Sequence, residues 1–153
     1  MKYIYATLLV FIALSGSLYA KENQQTVAIV DFKLDSKSHQ EFDWLGKAMS
    51  DLLNAKLAQS GVQLLDRDSI AFALREQKLD ATYQSASMMG AHKLIHGSLL
   101  IDKRGEFTLI TQLTATSQSE IIGSHQVKGL YPKDFENSIN EVVANLLPSI
   151  SDK

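Results

Sequence analysis

Histidines are the first residues to examine for metal chemistry, because this chain has no cysteine and therefore no thiolate ligand. Of the four histidines, only His92 and His96 lie close together in the sequence. A zinc-binding pair at this spacing needs a helix with a glutamate between the two. The surrounding pattern favours a strand, which would separate the two residues by about 13 Å. We therefore expect no metal site and no other cofactor.

A nucleophilic or acid–base site is equally hard to assemble from these residues. Ser98 follows Gly97, but the strand pattern around them and the absence of a Gly-x-Ser-x-Gly sequence argue against a catalytic elbow. Asp66 and Asp68 form a carboxylate pair whose position is explained by capping of the helix that follows. The sequence therefore favours a protein that is not an enzyme, with an exported hydrolase as the last alternative.

Trp44, with Phe42 just before it, is the one candidate for a partner-binding surface. Tryptophan is enriched among the residues that dominate the energetics of protein interfaces. The alternative, which we favour, is a hydrophobic staple that fixes the entry of the chain into the first helix.

The first twenty residues have the pattern of a secretory signal peptide. Lys2 is followed by an apolar run over residues 6–14, and small residues lead to Ala20, just before the first charges of the mature chain. We expect a signal peptide over 1–20, cleaved after Ala20. An uncleaved membrane anchor is the alternative, although the apolar run is shorter than the about 20 residues that a span needs. Ser17 stands where a lipobox would need cysteine, so no lipid anchor is expected.

Composition limits the size and the partners of the mature chain. Without residues 1–20, 133 residues remain, which is the size of one domain. They carry 14 basic and 17 acidic residues, a formal charge of −3. Nucleic-acid binding depends on lysine and arginine contacts with phosphate. We therefore expect no nucleic-acid partner.

Hydrophobic periodicity predicts a single α/β domain in the order β-α-β-α-α-β-β-β-α. Two βα units should lay strands in parallel, and a later meander adds antiparallel partners, which gives one mixed, three-layer-like sheet of about five strands with helices. Gly61 should end the first helix, Pro132 should lie in the first turn of the last helix, and Pro148 should close it. Gly97 should mark a close backbone approach. The strands are predicted over residues 26–32, 62–65, 92–101, 107–116 and 121–130, and the helices over 45–57, 66–77, 82–89 and 132–147.

Several motifs, in this order, resemble the CsgG-like envelope protein family, with its TolB N-terminal, FlgO and LpoB-type domains. They are Val-Ala-Ile-Val-Asp-Phe at 27–32, Trp-Leu-Gly at 44–46, Leu-Leu-Asp-Arg at 64–67, Leu-Arg-Glu-Gln-Lys-Leu at 74–79, and Met-Gly-Ala-His-Lys-Leu-Ile-His-Gly-Ser-Leu at 89–99. The resemblance covers a domain over 26–148. It implies an anticodon-binding-domain-like fold and a role in assembly or secretion at the outer membrane, such as curli assembly, through protein contacts.

The resemblance and the signal peptide together predict a periplasmic accessory or interaction module, exported and in contact with the outer membrane or its proteins. Envelope proteins are the expected partners, and a homo-oligomer is left open. A pore subunit of the outer membrane is the first alternative, although no additional strand pair for insertion is present between residues 32 and 130. A periplasmic domain that binds a small ligand or glycan at its strand ends is the second.

Overall fold

The computed structural model describes residues 25–35, 40–70, 72 and 86–152. The signal peptide predicted over 1–20, its cleavage after Ala20 and the serine at position 17 lie outside the described residues. So does most of the sequence predicted as helix between residues 71 and 85.

The described residues form the strands β1 (Val27–Ile29), β2 (Lys33–Leu34), β3 (Lys93–Ile101), β4 (Glu106–Ala115) and β5 (Glu120–Leu130). These strands form one mixed sheet in which β3 is central. Strands β1 and β2 both run parallel to β3, and β4 and β5 follow as antiparallel neighbours, so the path is β1-β3-β4-β5 with β2 also on β3. The predicted mixed α/β sheet of five strands, in a single small domain, is confirmed.

The segment predicted as the second strand, residues 62–65, pairs with β1 through one parallel bridge between Val27 and Leu64. Its neighbours extend the pairing, because the Val27 amide donates to Gln63 O at 2.8 Å and the Leu65 amide donates to Val27 O at 2.9 Å. Strand β2, by contrast, lies outside every strand and helix predicted from the sequence. It forms because Leu34 packs against the core and pairs with Leu99, further along β3 than the residues that pair with β1.

The first long helix, α1 (Leu45–Gln59), ends as predicted, with Gly61 in the left-handed region at φ 82°. The last helix, α2 (Phe135–Ser151), differs from the prediction at both ends. Pro132 lies before it, because hydrogen bonds between Leu130 and Asp134 close a turn over residues 131–134. Pro148 lies inside it and does not end it.

Helical residues at 67–70 and 72, and again at 86–88, occupy the positions of the second and third predicted helices. A smaller apolar cluster lies between these residues and β1 and β3, formed by Ala28, Ile70, Ala86, Ala91 and Leu94. The main core lies between α1, α2 and the sheet. Its fully buried side chains include Ile29, Leu45, Met49, Leu53, Leu57, Ile95, Leu99, Ile101, Leu109, Leu113 and Ile139.

Gly97 marks the close approach that its position in a strand predicted. A Cβ atom there would lie 2.0 Å from Ile110 O and 2.9 Å from the ring of Phe32. Real Cβ atoms do not approach backbone oxygen so closely, so β3 and β4 keep their spacing only with glycine here.

Candidate interaction surface

The histidines considered for a metal site have other contacts. His92 Nδ1 accepts a hydrogen bond from the Thr26 amide at 3.2 Å. His96 Nε2 lies 3.0 Å from Thr114 Oγ1, and burial, followed by the positive charge of Lys33, lowers the pKa of His96. Among the described residues, no group of three or more His, Asp or Glu side chains is placed to hold a metal ion.

Asp66 has the capping role that its position predicted. Its Oδ2 accepts hydrogen bonds from the Ser69 hydroxyl at 2.7 Å and from the Ser69 amide at 2.9 Å. These bonds stabilise the carboxylate and hold the pKa of Asp66 below its ordinary value. Ser98, the other candidate for chemistry, lies within β3 opposite Ile110. The structure thus gives Asp66 a structural function.

Trp44 belongs to an aromatic cluster centred on Tyr131. The Tyr131 ring meets Phe42, Trp44 and Phe135 with centroid distances of 6.0, 5.9 and 5.8 Å. The interplanar angles of 72°, 76° and 89° are those of edge-to-face contacts, which aromatic quadrupoles favour. We call these four residues the aromatic cluster.

Four separate elements bring the cluster together. Phe42 ends a short 3-10 helix (Gln40–Phe42), Trp44 immediately precedes α1, and Phe135 opens α2. Tyr131 follows β5, and its amide donates to Gly105 O at 2.8 Å, which ties it to the β3–β4 turn. Sequence reasoning missed Tyr131 as the centre, because no local pattern links it to Trp44. The Tyr-Pro pair at the end of a predicted strand was the available signal.

Trp44 is held in place and yet remains half exposed. Its indole Nε1 donates to Glu41 O at 3.1 Å, and the ring contacts Tyr131, while 53% of the residue stays accessible to solvent. Glu41 and Asp43, on either side of Phe42, are both exposed. The contact with Tyr131 agrees with a role at the helix entry, and the exposed surface leaves the partner-binding role of Trp44 a prediction.

A buried lysine lies at the end of the sheet that is remote from the aromatic cluster. Lys93, only 5% exposed, opens β3, and its Nζ donates to Ser149 O at 2.7 Å, Ile150 O at 2.9 Å and Asp152 O at 2.7 Å. These carbonyls end α2, where a cation is favoured by the helix dipole. Burial lowers the pKa of Lys93, and the negative charge of Asp152 opposes that effect.

The aromatic cluster and Lys93 lie at opposite ends of the domain. β3 begins at Lys93, and β5 runs in the same direction as β3 because each is antiparallel to β4. Tyr131 follows the last residue of β5, so it lies where β3 ends. We call the two ends the Trp44 end and the Lys93 end.

No helix within the described residues is long and apolar enough to span a bilayer.

Comparison of the sequence with protein-family models found no match, and comparison with curated proteins found none either. Solved structures do match. The C-terminal domain of LpoB from Escherichia coli has a TM-score of 0.56 at 18% identity, over 69% of this chain and 82% of that one. TolB from Acinetobacter baumannii has a TM-score of 0.59 at 14% identity, over 85% of this chain but 29% of that one. The lipoprotein GNA1162 from Neisseria meningitidis has a TM-score of 0.58 at 10% identity, over 84% of this chain and 97% of that one. This chain therefore shares the fold of the LpoB C-terminal domain, of the lipoprotein and of the matched part of TolB, which is less than a third of that protein.

Proposed function

We propose that this chain is a non-enzymatic accessory module of the bacterial envelope, which acts in the periplasm by binding other envelope proteins. The observation that carries the proposal is the fold it shares with the C-terminal domain of LpoB, with part of TolB and with the lipoprotein GNA1162, which are associated with the envelope. The likeness spans 97% of the lipoprotein, so it covers a whole domain rather than one motif. The signal-peptide pattern of residues 1–20 supports export.

The CsgG-like sequence motifs support a finer proposal, a role in assembly or secretion at the outer membrane. In that role the Trp44 end is the surface offered to a partner. A half-exposed tryptophan whose ring is already fixed loses little conformational entropy on binding, which is a property of interface hot spots. Export, the cleavage after Ala20 and this choice of surface are all parts of the proposal.

The test uses the full chain with a C-terminal tag, expressed in a Gram-negative bacterium. Release by osmotic shock, with a mature N-terminus at Lys21, is expected. Intact, unprocessed protein in the cytosol would overturn the proposal, and retention in the membrane fraction as heat-modifiable oligomers would favour a pore subunit instead.

Photo-crosslinking in the same cells tests the surface. A benzoylphenylalanine residue at position 47, exposed and three residues after Trp44, should capture an envelope protein while Trp44 stays in place, and one at position 121 should not. Ile121 is a matched control, because it is 51% exposed and lies at the Lys93 end. Equal crosslinking at both positions would contradict the assignment of the Trp44 end.

A further inference from the structure

We infer that two copies of this chain associate through the outer edge of β5, with the two strands antiparallel about a two-fold axis at Gln126. The partner at this edge is a second copy of the chain, and the sheet becomes continuous across both copies. Three features of β5 support this pairing: its outward backbone groups, the register that pairs them, and the side chains that the register brings together. The pairing goes beyond the proposed envelope role and does not depend on it.

The outer edge of β5 presents backbone donors and acceptors to solvent. β5 is the last strand of the sheet path, so this edge has no neighbour among the described strands. In an antiparallel pair, alternate residues direct both backbone groups towards the neighbouring strand or both away from it. The Leu130 amide donates to Asp134 Oδ2, and Leu130 O accepts from the Asp134 amide, so the groups of Leu130 point away from β4. By alternation, the groups of Ser124, Gln126 and Lys128 point the same way, and no described residue bonds to them.

Both ends of this edge are closed, which limits the part that a second strand can reach. At the last residue, the turn over residues 131–134 satisfies the backbone groups of Leu130. At the start, Ile122 is a bulged residue, because the register with β4 shifts by one residue there. Bulges and covering turns are the usual protection of edge strands. The segment 124–128 between them is exposed at alternate residues and lacks proline, so it is open to pairing.

One register pairs every outward group of this segment with an outward group of the second copy. It places Gln126 opposite its own counterpart and Ser124 opposite Lys128 of the second copy. Each opposed pair then exchanges two N–H···O bonds. A shift by two residues in one direction would place Lys128 opposite the bulge at Ile122. A shift in the other direction would place Ser124 opposite Leu130, whose groups are already bonded.

The same register brings the exposed apolar side chains of β5 together. Ile121 and Ile122, at the start of the strand, are 51% and 37% exposed, and Leu130, at its end, is 40% exposed. Within one copy these residues lie at opposite ends of β5. The two-fold axis places Ile122 opposite Leu130 of the second copy, and symmetry repeats this contact. Burial of this apolar surface favours association.

The charged side chains along the edge do not oppose the pairing. Lys128 lies opposite Ser124, and four residues of extended strand, about 13 Å, separate that serine from the second Lys128. Glu120 comes next to the end that carries Lys133 and Asp134, which have one charge of each sign. No pair of like charges is therefore directly opposed.

The face of β5 that packs against α2 also tolerates a second copy. The register places Gly123 opposite Gly129 and Val127 opposite His125. His125 Nε2 lies 3.1 Å from Glu141 Oε1 of its own copy, so these two side chains are already paired. Because neither glycine has a side chain, the space between the two α2 helices stays free along this part of the edge.

Sedimentation velocity tests the association. The chain is purified from the cells described above, in the form in which they accumulate it, and is studied from about 1 μM to about 1 mM. A reversible, concentration-dependent change from monomer to dimer is expected. A chain that remains monomeric over the whole range would overturn the inference.

Proline substitutions test the direction of the backbone groups. The Gln126 amide points away from β4, so Gln126→Pro should keep the fold, as proline is tolerated on edge strands. The dimer should dissociate at least about tenfold more readily, because the hydrogen bonds at the two-fold axis are lost in both copies. Val127→Pro is the control, because its amide points towards β4 and its loss should destabilise the monomer itself. A folded Gln126→Pro variant that dimerises like the native chain would refute the pairing.

Single cysteines test the register without relying on the proline variants. The chain has no native cysteine, so each introduced thiol reports on one position. Gln126→Cys should be crosslinked to its counterpart by a short bismaleimide, because opposed residues of hydrogen-bonded strands have Cα atoms about 5.5 Å apart. The control Lys103→Cys is also exposed, but it lies in the β3–β4 turn, and the two turns lie at opposite ends of the dimer. Equal crosslinking of the two variants would overturn the register.

This inference and the proposed function fail separately. In the photo-crosslinking described for the proposed function, position 121 should give only the dimer of the chain itself and no other envelope protein. A monomeric chain that captures an envelope protein at position 47 would retain the function and overturn the dimer. A dimer with the expected crosslinks, found only in the cytosol, would retain the pairing and overturn the envelope role.

Discussion

Replacing Lys93 with methionine should destabilise the domain mainly by releasing the last turn of α2. In the native chain the ammonium group donates to three carbonyls that lie 56, 57 and 59 residues further along the chain. Methionine fills the volume of the lysine stem without its charge, so a cavity contributes little to the effect. What is lost is the set of donors that satisfies the carbonyls at the helix end.

The size of the effect follows from two opposing contributions. A hydrogen bond from a charged donor contributes about 1.5–3 kcal/mol, and the native chain has three. Removal of the ammonium group from water opposes this gain, and that same burial lowers the pKa of Lys93. The net expected loss for Lys93→Met is therefore about 2–3 kcal/mol of unfolding free energy at pH 7.

Urea unfolding followed by circular dichroism measures this loss. With a slope in the usual range for a small domain, the midpoint should fall by about 1–2 M urea with the slope unchanged. Lys128→Met is the matched control: Lys128 is exposed on β5, and its loss should cost no more than about 0.5 kcal/mol. Hydrogen exchange at the Asp152 amide, which donates to Pro148 O, should be faster in Lys93→Met than in the native chain. If Lys93→Met unfolds at the same midpoint as the control, the ammonium does not hold the helix end and the reasoning is wrong.

Two further predictions concern local structure. Gly97→Ala should lower the free energy of unfolding by at least about 3 kcal/mol or prevent soluble expression, because the new Cβ would collide with Ile110 O. Gly61→Ala should cost only about 1–2 kcal/mol, because no atom lies within 4 Å of the new Cβ and only the positive φ is unfavourable. Similar urea midpoints for the two variants would argue against the close approach at Gly97. The difference in unfolding free energy between the native chain and Asp66→Ala should be constant above about pH 5 and shrink as pH falls through the lowered pKa of Asp66. The reason is that the hydrogen bonds from Ser69 require the ionised carboxylate. A difference in urea midpoint that persists at pH 2 would contradict that cause.

The sequence by itself determined most of the secondary structure, because the physics that selects it is local. The apolar spacing of Leu45, Met49, Leu52, Leu53 and Leu57 predicted α1, and all of these residues except the partly buried Leu52 are fully buried. The change from helical to alternating periodicity predicted β3, β4 and β5. Gly61 ended its helix as expected, because positive φ favours glycine wherever a helix stops.

Tertiary structure decided whatever depends on residues far apart in the chain. Strand β2 exists because Leu34 reaches β3 opposite Leu99, a pairing that no local pattern contains. Pro148 lies inside α2, and the carbonyls just beyond it accept hydrogen bonds from Lys93, the first residue of β3. Trp44 gained its fixed orientation in the same way, from a tyrosine that follows the last strand. Periodicity predicts which face of an element is buried, but only packing decides which distant groups meet there.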